Sequence, residues 1–189
     1  MNEFDEAILR AVAQLRTPWL NRAMRDITSL GSLMVISLVT ATAFTVLWTI
    51  ARDRNGAARI VTAAAGGQLL VELFKWTLQR PRPTIVPYLT DVTGFSYPSG
   101  HALVATATYG TLAWIACNHI VQPSGRRAIR AIGWAIVVLV AFSRVYLGVH
   151  YMSDVVSGIV MGIGWLYLAA YFTRQTRPPA SSATSSEPS

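Results

Sequence analysis

Long runs without charge alternate with short polar interruptions along most of the chain. Gly31 to Ile50 carries no charged side chain, Ile60 to Leu78 is apolar apart from Glu72 and Lys75, and Ala102 to Val121 carries only His119, near its end. Ala131 to Ser143 is shorter and reaches full length if it runs on past Arg144, and Val155 to Phe172 is again uncharged. A helix needs about 20 apolar residues to cross the hydrocarbon of a bilayer. The pattern therefore predicts an all-α membrane bundle of about five spans. The first 28 residues read differently. Phe4, Ile8, Leu9, Val12 and Leu15 recur at helical spacing among Glu3, Asp5, Glu6, Arg10 and Arg16, which predicts an amphipathic helix lying in the membrane interface. Residues 178–189 are Pro, Ser, Ala and Thr with one Glu. They predict a disordered tail after a single domain over residues 1–177, in which residues 29–177 are the bundle.

Composition agrees. Hydrophobic residues make up 52% and charged residues 13%, against about 25% charged in a soluble domain. Mean hydropathy is +0.40. The net charge of +7 does not imply nucleic acid, because the basic residues form short groups between apolar runs rather than a stripe. The single cysteine, Cys117, excludes an intrachain disulfide and a cysteine-rich metal site. The acidic start, Met1 to Glu6, lacks the basic stretch of a signal peptide.

The position of the cations changes the picture more than their number. Arg52, Arg54 and Arg59, then Arg126, Arg127 and Arg130, then Arg174 and Arg177 flank alternate ends of the spans and so share one side, the cytoplasm by the positive-inside rule. Lys75, Arg80, Arg82 and Arg144 fall at the opposite ends, where the rule expects few cations and anion binding gives a reason for them. Arg10, Arg16, Arg22 and Arg25 of the N-terminal segment weigh against this orientation if that segment lies outside.

Three clusters stand at those outward ends. In the first, Lys75 and Arg82 are seven residues apart, two turns on one face of a continuing helix, with Pro81 and Pro83 marking its end. The second is Tyr97-Pro98-Ser99-Gly100-His101, where a helix start offers free N–H groups to an anion. The third runs from Ser143 and Arg144 to His150 and Asp154, the last two spaced as neighbours on one helical face, where a carboxylate fixes the imidazole's tautomer. Each cluster has a plain structural reading: cations reaching to headgroups, a helix-start turn, an ion pair. Together they bring three cations, two histidines and a carboxylate to one predicted side, and ionisable groups at membrane depth are costly and functional. Glu72 reads as a partner of Lys75, Arg80 as a headgroup contact, and the loop over residues 84–97, with Asp91, as a candidate lid. Gly158, Gly162 and Gly164 read as a helix-packing face.

These clusters resemble the type 2 phosphatidic acid phosphatase family, whose site is shared by vanadium-dependent haloperoxidases and bacterial acid phosphatases. The family pattern is Lys-x6-Arg-Pro, Pro-Ser-Gly-His, then Ser-Arg-x5-His-x3-Asp, and the chain carries it whole over roughly residues 70 to 160. The resemblance implies a bacterial inner-membrane enzyme with its site on the extracytoplasmic face and a membrane lipid phosphate as substrate. It implies His150 as nucleophile, Asp154 as its orienter and His101 as acid and base. Lys75, Arg82, Arg144, Ser99 and Gly100 would hold the phosphate. No metal or other cofactor is expected, since a two-metal phosphatase gathers several carboxylates. A small bundle of this kind is similar to the enzymes that dephosphorylate undecaprenyl diphosphate, with phosphatidylglycerophosphate and phosphatidic acid as competing substrates. A non-catalytic lipid-phosphate binder is the rival from another class, and vanadate-dependent halide oxidation a further one.

Overall fold

In a computed structural model of the chain, the described residues, 3–175, form seven helices and no strand. The N-terminal segment is two helices rather than one, α1 (Glu3–Ala13) and α2 (Pro18–Ser29). The break is local chemistry. Pro18 occupies the start of α2, where its missing N–H leaves nothing unsatisfied, and Thr17 before it is extended at φ −135° and ψ 156°. Part of each apolar face packs on protein: buried Leu9 of α1 lies with Val145, Tyr151 and Val155, and buried Met24 of α2 with Tyr146 and Leu147, while Phe4 and Trp19 stay exposed.

Helix α3 (Leu33–Thr45) starts at Ser32, whose hydroxyl accepts from the Val35 N–H at 3.3 Å, and runs into a π-helical turn, Val46–Ile50. Its outward side chains, Met34 at 80% exposure and Leu38 at 67% among them, are the kind of surface a bilayer covers. Helix α4 (Arg54–Leu78) begins six residues before the expected span, because the Asp53 carboxylate caps the Gly56 N–H at 2.8 Å. It ends where Gln79 turns left-handed at φ 45°, two residues before Pro81. The third, fourth and fifth expected spans are α5 (Gly100–Asn118), α6 (Pro123–Tyr146) and α7 (Met152–Gln175).

Among the described residues, four helices are long and apolar enough to cross a membrane: α3 with its π turn, α4, α6 and α7. Helix α5 is not among them, although it is 19 residues long. It is the central helix, packed by α4, α6 and α7, and its buried residues are mainly Ala and Thr. A helix surrounded by protein needs close contact more than greasiness. Gly158 and Gly162 of α7 provide it: a Cβ at Gly158 would stand 2.7 Å from the carbonyl oxygen of Ser99, which precedes α5, and one at Gly162 2.7 Å from that of Leu103 within it. Gly164 faces open space, with nothing within 4 Å, so only two of the three expected glycines make this face.

The basic helix ends do meet on one side. The guanidinium groups of Arg59 and Arg174 lie 5.3 and 5.9 Å from the ring of Trp114, and His119 pairs with Asp53 at 3.3 Å. Arg59 is not a loop cation, however; it is buried within α4 and faces the Thr173 hydroxyl of α7. The expected tail, 178–189, lies outside the described residues.

Candidate active site

The last turn of α4, the first of α5, the last of α6 and the turn before α7 end around one cavity of about 370 Å³. Lys75, Arg82, Gly100, His101, Arg144 and His150 line it. Ser99 and Asp154 stand behind the wall, both fully buried. The predicted residues therefore converge, but two of the local geometries differ from the expectation. Lys75 and Arg82 do not share a helix face, because α4 has ended and Arg82 sits on the extended segment after it. His150 is not on the helix that carries Asp154 either. It lies in the turn between α6 and α7, where Gly148 takes φ +81°, and Asp154 is in the first turn of α7.

That turn is what orients the imidazole. Asp154 Oδ2 accepts the Tyr151 N–H at 2.9 Å and the Ser96 hydroxyl, and stands 3.5 Å from His150 Nδ1. The last distance is longer than a formed N–H···O bond, which clusters near 2.9 Å, so Asp154 faces the ring nitrogen without closing on it. The other ring nitrogen, Nε2, is 3.4 Å from Arg82 Nη1. With Nδ1 turned to a carboxylate and Nε2 to a cation, Nε2 is the nitrogen left to carry the free lone pair. Burial, with help from Arg144 and Arg82, pushes the His150 imidazole down to about 4 against the pull of Asp154, so the ring is neutral.

The cations are fixed in different ways. Three main-chain carbonyls hold the Arg82 guanidinium, those of Gly94, Thr93 and Val149, each at 2.9 Å. Arg144 Nη1 donates to the Thr28 hydroxyl of α2 at 2.7 Å, while its buried Nε has no partner. The buried Ser99 hydroxyl is also without one. Lys75 has no pair with Glu72, contrary to expectation; Glu72 accepts from Gln68 instead, on the outer surface of α4. Among the described residues no group of three or more His, Cys, Asp or Glu side chains is arranged to hold a metal ion.

Sequence reasoning missed several contributors. Arg25, Thr28, Ser29 and Ser32, from α2 and the start of α3, line the cavity, so the N-terminal segment is a wall of the site. Thr90 to Thr93 line it too. The loop that carries them is tied down: Leu89 donates to the Leu147 carbonyl at 3.0 Å and accepts from Arg25 at 2.8 Å, and the Tyr88 hydroxyl donates to the Pro83 carbonyl. Such anchoring suits a fixed rim better than a lid. Arg80 is no headgroup contact. It lies between Asp154 and Asp5, at 2.6 and 3.0 Å. No sequence signal marks Ser96 or Thr28. Asp5 and Arg80 carried a weak one, an acid and a base near the site's predicted level.

The PAP2 superfamily model matches residues 56–178. The chain is 33% identical over 178 residues to phosphatidylglycerophosphatase B of Bacillus subtilis (strain 168), which covers 92% of this chain and 85% of the relative. It is 30% identical over 119 residues to an undecaprenyl-diphosphatase of Sulfolobus acidocaldarius, 63% of this chain and 52% of that one. The crystal structure of a transmembrane PAP2 type phosphatidylglycerolphosphate phosphatase from Bacillus subtilis superposes with a TM-score of 0.82 at 30% identity, over 94% of this chain and 88% of the other. Aquifex aeolicus LpxE shares the fold, with a TM-score of 0.69 at 22% identity over 89% and 93%.

Proposed function

Since the chain belongs to the PAP2 superfamily and is a membrane lipid phosphatase, we propose that it acts through a phosphohistidine at His150, with phosphatidylglycerophosphate as first substrate. One observation carries the catalytic reading. Four cations (Arg25, Lys75, Arg82 and Arg144), two imidazoles and the N–H groups of a helix start surround one cavity, whose wall contains the unpartnered Arg144 Nε. A phosphoryl group is the ligand such donors suit.

In this reading His150 Nε2 attacks phosphorus and the bond from phosphorus to the leaving oxygen breaks. His101, across the cavity, gives that oxygen its proton. His101 then takes a proton from the water that attacks the phosphohistidine, releasing inorganic phosphate and restoring His150. Asp154 orients the ring and stabilises it as it gains positive charge. Lys75, Arg82 and Arg144 hold the phosphoryl oxygens, with the Ser99 hydroxyl and the Gly100 N–H completing the cradle. Binding alone would need the cations but not a neutral, carboxylate-backed imidazole, which argues against the idle binder.

A groove of about 790 Å³ between α3 and α4, lined by Leu33, Ile36, Phe44, Ala64 and Leu69, supports a lipid substrate. Its end at Leu33 adjoins Ser32, which lines the catalytic cavity. An acyl chain in the groove would leave its phosphate at the mouth of the site. The sequence reading put undecaprenyl diphosphate first. Likeness along nearly the whole chain to phosphatidylglycerophosphatase B favours the glycerophospholipid, while the Sulfolobus relative keeps the diphosphate as a second reading. Phosphate release from phosphatidylglycerophosphate, undecaprenyl diphosphate and phosphatidic acid, measured side by side, ranks them. Turnover of the first should lead and vanish in His150→Ala; activity surviving in that variant removes His150 as nucleophile. We place the site on the extracytoplasmic face of a bacterial inner membrane, with the basic ends of α4, α6 and α7 in the cytoplasm.

A further inference from the structure

Arg80 belongs to none of the fixed positions that carry the family pattern, yet its guanidinium reaches the carboxylate behind His150. Its Nη1 donates to Asp154 Oδ1 at 2.6 Å and to the Ser153 hydroxyl at 2.8 Å. Its Nη2 donates to Asp5 Oδ2 at 3.0 Å, and the group lies 4.4 Å from the centre of the Tyr151 ring. Asp5, on α1, is 1% exposed. Its two oxygens accept the Ser153 N–H at 2.9 Å and the Ser153 hydroxyl at 2.5 Å. The Arg80 carbonyl in turn accepts from Ser96 N–H at 2.8 Å, and the Ser96 hydroxyl donates to Asp154 Oδ2.

The two oxygens of Asp154 are thus divided. Oδ1 is committed to Arg80, which leaves Oδ2 to Ser96, Tyr151 and the face of His150. A carboxylate loaded on one oxygen by a cation cannot rotate without breaking that contact. Arg80 acting alone would also cancel the negative charge that His150 needs as it turns cationic. Asp5 removes that difficulty: one cation is shared by two carboxylates, so the group keeps a net negative charge beneath the imidazole. Docking of α1 needs none of this, because Leu9 already buries an apolar contact, and a buried ion pair is a costly way to fasten a helix.

We propose that Arg80 and Asp5 are positioning residues for the nucleophile, fixing the rotation of Asp154 and preserving its charge, so that Asp5 joins the catalytic unit while the apolar contacts of α1 only hold the helix in place. The inference rests on the reading of His150 as nucleophile. The test uses the full chain in detergent micelles with phosphatidylglycerophosphate, and compares Asp5→Asn, Arg80→Lys, the double variant and Leu9→Ala with wild type and His150→Ala. Lysine keeps the charge but cannot span both carboxylates with a planar fork. Asp5→Asn and Arg80→Lys should each lower kcat about ten-fold or more with KM within about two-fold, and the double variant should be little worse than either single. Leu9→Ala should lower Tm while kcat, measured well below its Tm, stays at the wild-type value. Wild-type kcat in Asp5→Asn and Arg80→Lys overturns the proposal. So does a kcat loss in Leu9→Ala matching theirs at equal loss of Tm, which would make α1 a strap. Activity surviving in His150→Ala strikes the nucleophile reading itself, a separate outcome in the same assay.

Discussion

Gly158→Ala adds a single methyl group where α7 crosses the start of α5. The new Cβ would stand 2.7 Å from the Ser99 carbonyl oxygen, 3.1 Å from Ala102 Cβ and 3.2 Å from the Leu103 nitrogen. A carbon rests no closer than about 3.3 Å from a carbonyl oxygen, so the helices must part by roughly 0.6 Å. Neither neighbour can swing aside, because the nearest contacts are backbone and a methyl. Overpacking of this kind costs about 1–3 kcal/mol. The functional loss should be larger than that cost suggests. Ser99 N–H donates to the Asp154 carbonyl at 3.0 Å, so the start of α5 and the first turn of α7 carry the two halves of the site. A displacement near 1 Å costs about a hundred-fold in rate, and half of it about ten-fold. Gly164→Ala is the control, since nothing lies within 4 Å of its added methyl and alanine is the better helix former. Thermal unfolding and phosphate release on both purified variants decide the matter. Gly158→Ala should melt several degrees lower and turn over about ten-fold more slowly, and Gly164→Ala should match wild type. Equal behaviour of the two would refute the claim that this crossing sets the site's geometry.

Three further outcomes follow from the site and from the charge pattern. His150 is pushed down to about 4 chiefly by burial, so the ring proposed to attack phosphorus stays neutral well below the ordinary 6.5. With His150 as the proposed nucleophile, the acid limb of single-turnover phosphoryl transfer should lie at about pH 4, and a limb at 6.5 would contradict a buried, neutral ring in that role. The same shift makes the unfolded chain take up a proton first, so His150's contribution to stability falls away as pH drops from 6.5 towards about 4. In a Cys117→Ser background, a cysteine at Asp91 should react with an impermeant reagent in intact cells and one at Ser124 should not; the reverse would invert the topology.

The fold and the chemistry were legible in the sequence to different depths. Uncharged runs announced the helices because lipid-facing surface must be apolar, as along α3. Helix α5 satisfies length but not hydropathy, since protein covers it. The eight expected site residues all come to the cavity or directly behind it, because their spacing relative to helix ends carries the information. What spacing could not convey was where a helix stops. Gln79 and the turn at Gly148 place Arg82 and His150 on irregular backbone, so helical-face arithmetic misjudged both. Arg80 reads as a headgroup contact and Asp5 as part of an interfacial helix because their partners, 74 and 148 residues away, are brought near only by the packed bundle.

The grip on Arg82 has a consequence for how such an enzyme diverges. Its guanidinium is held by the peptide oxygens of residues 93, 94 and 149, not by any side chain of the loop. Mutation can rewrite Thr90 to Thr93 while the charge they steady remains in register, provided the backbone path survives. Gly94, at φ +69°, is the exception that path demands. Selectivity for the lipid headgroup can therefore drift along this rim while the chemistry beneath is inherited intact.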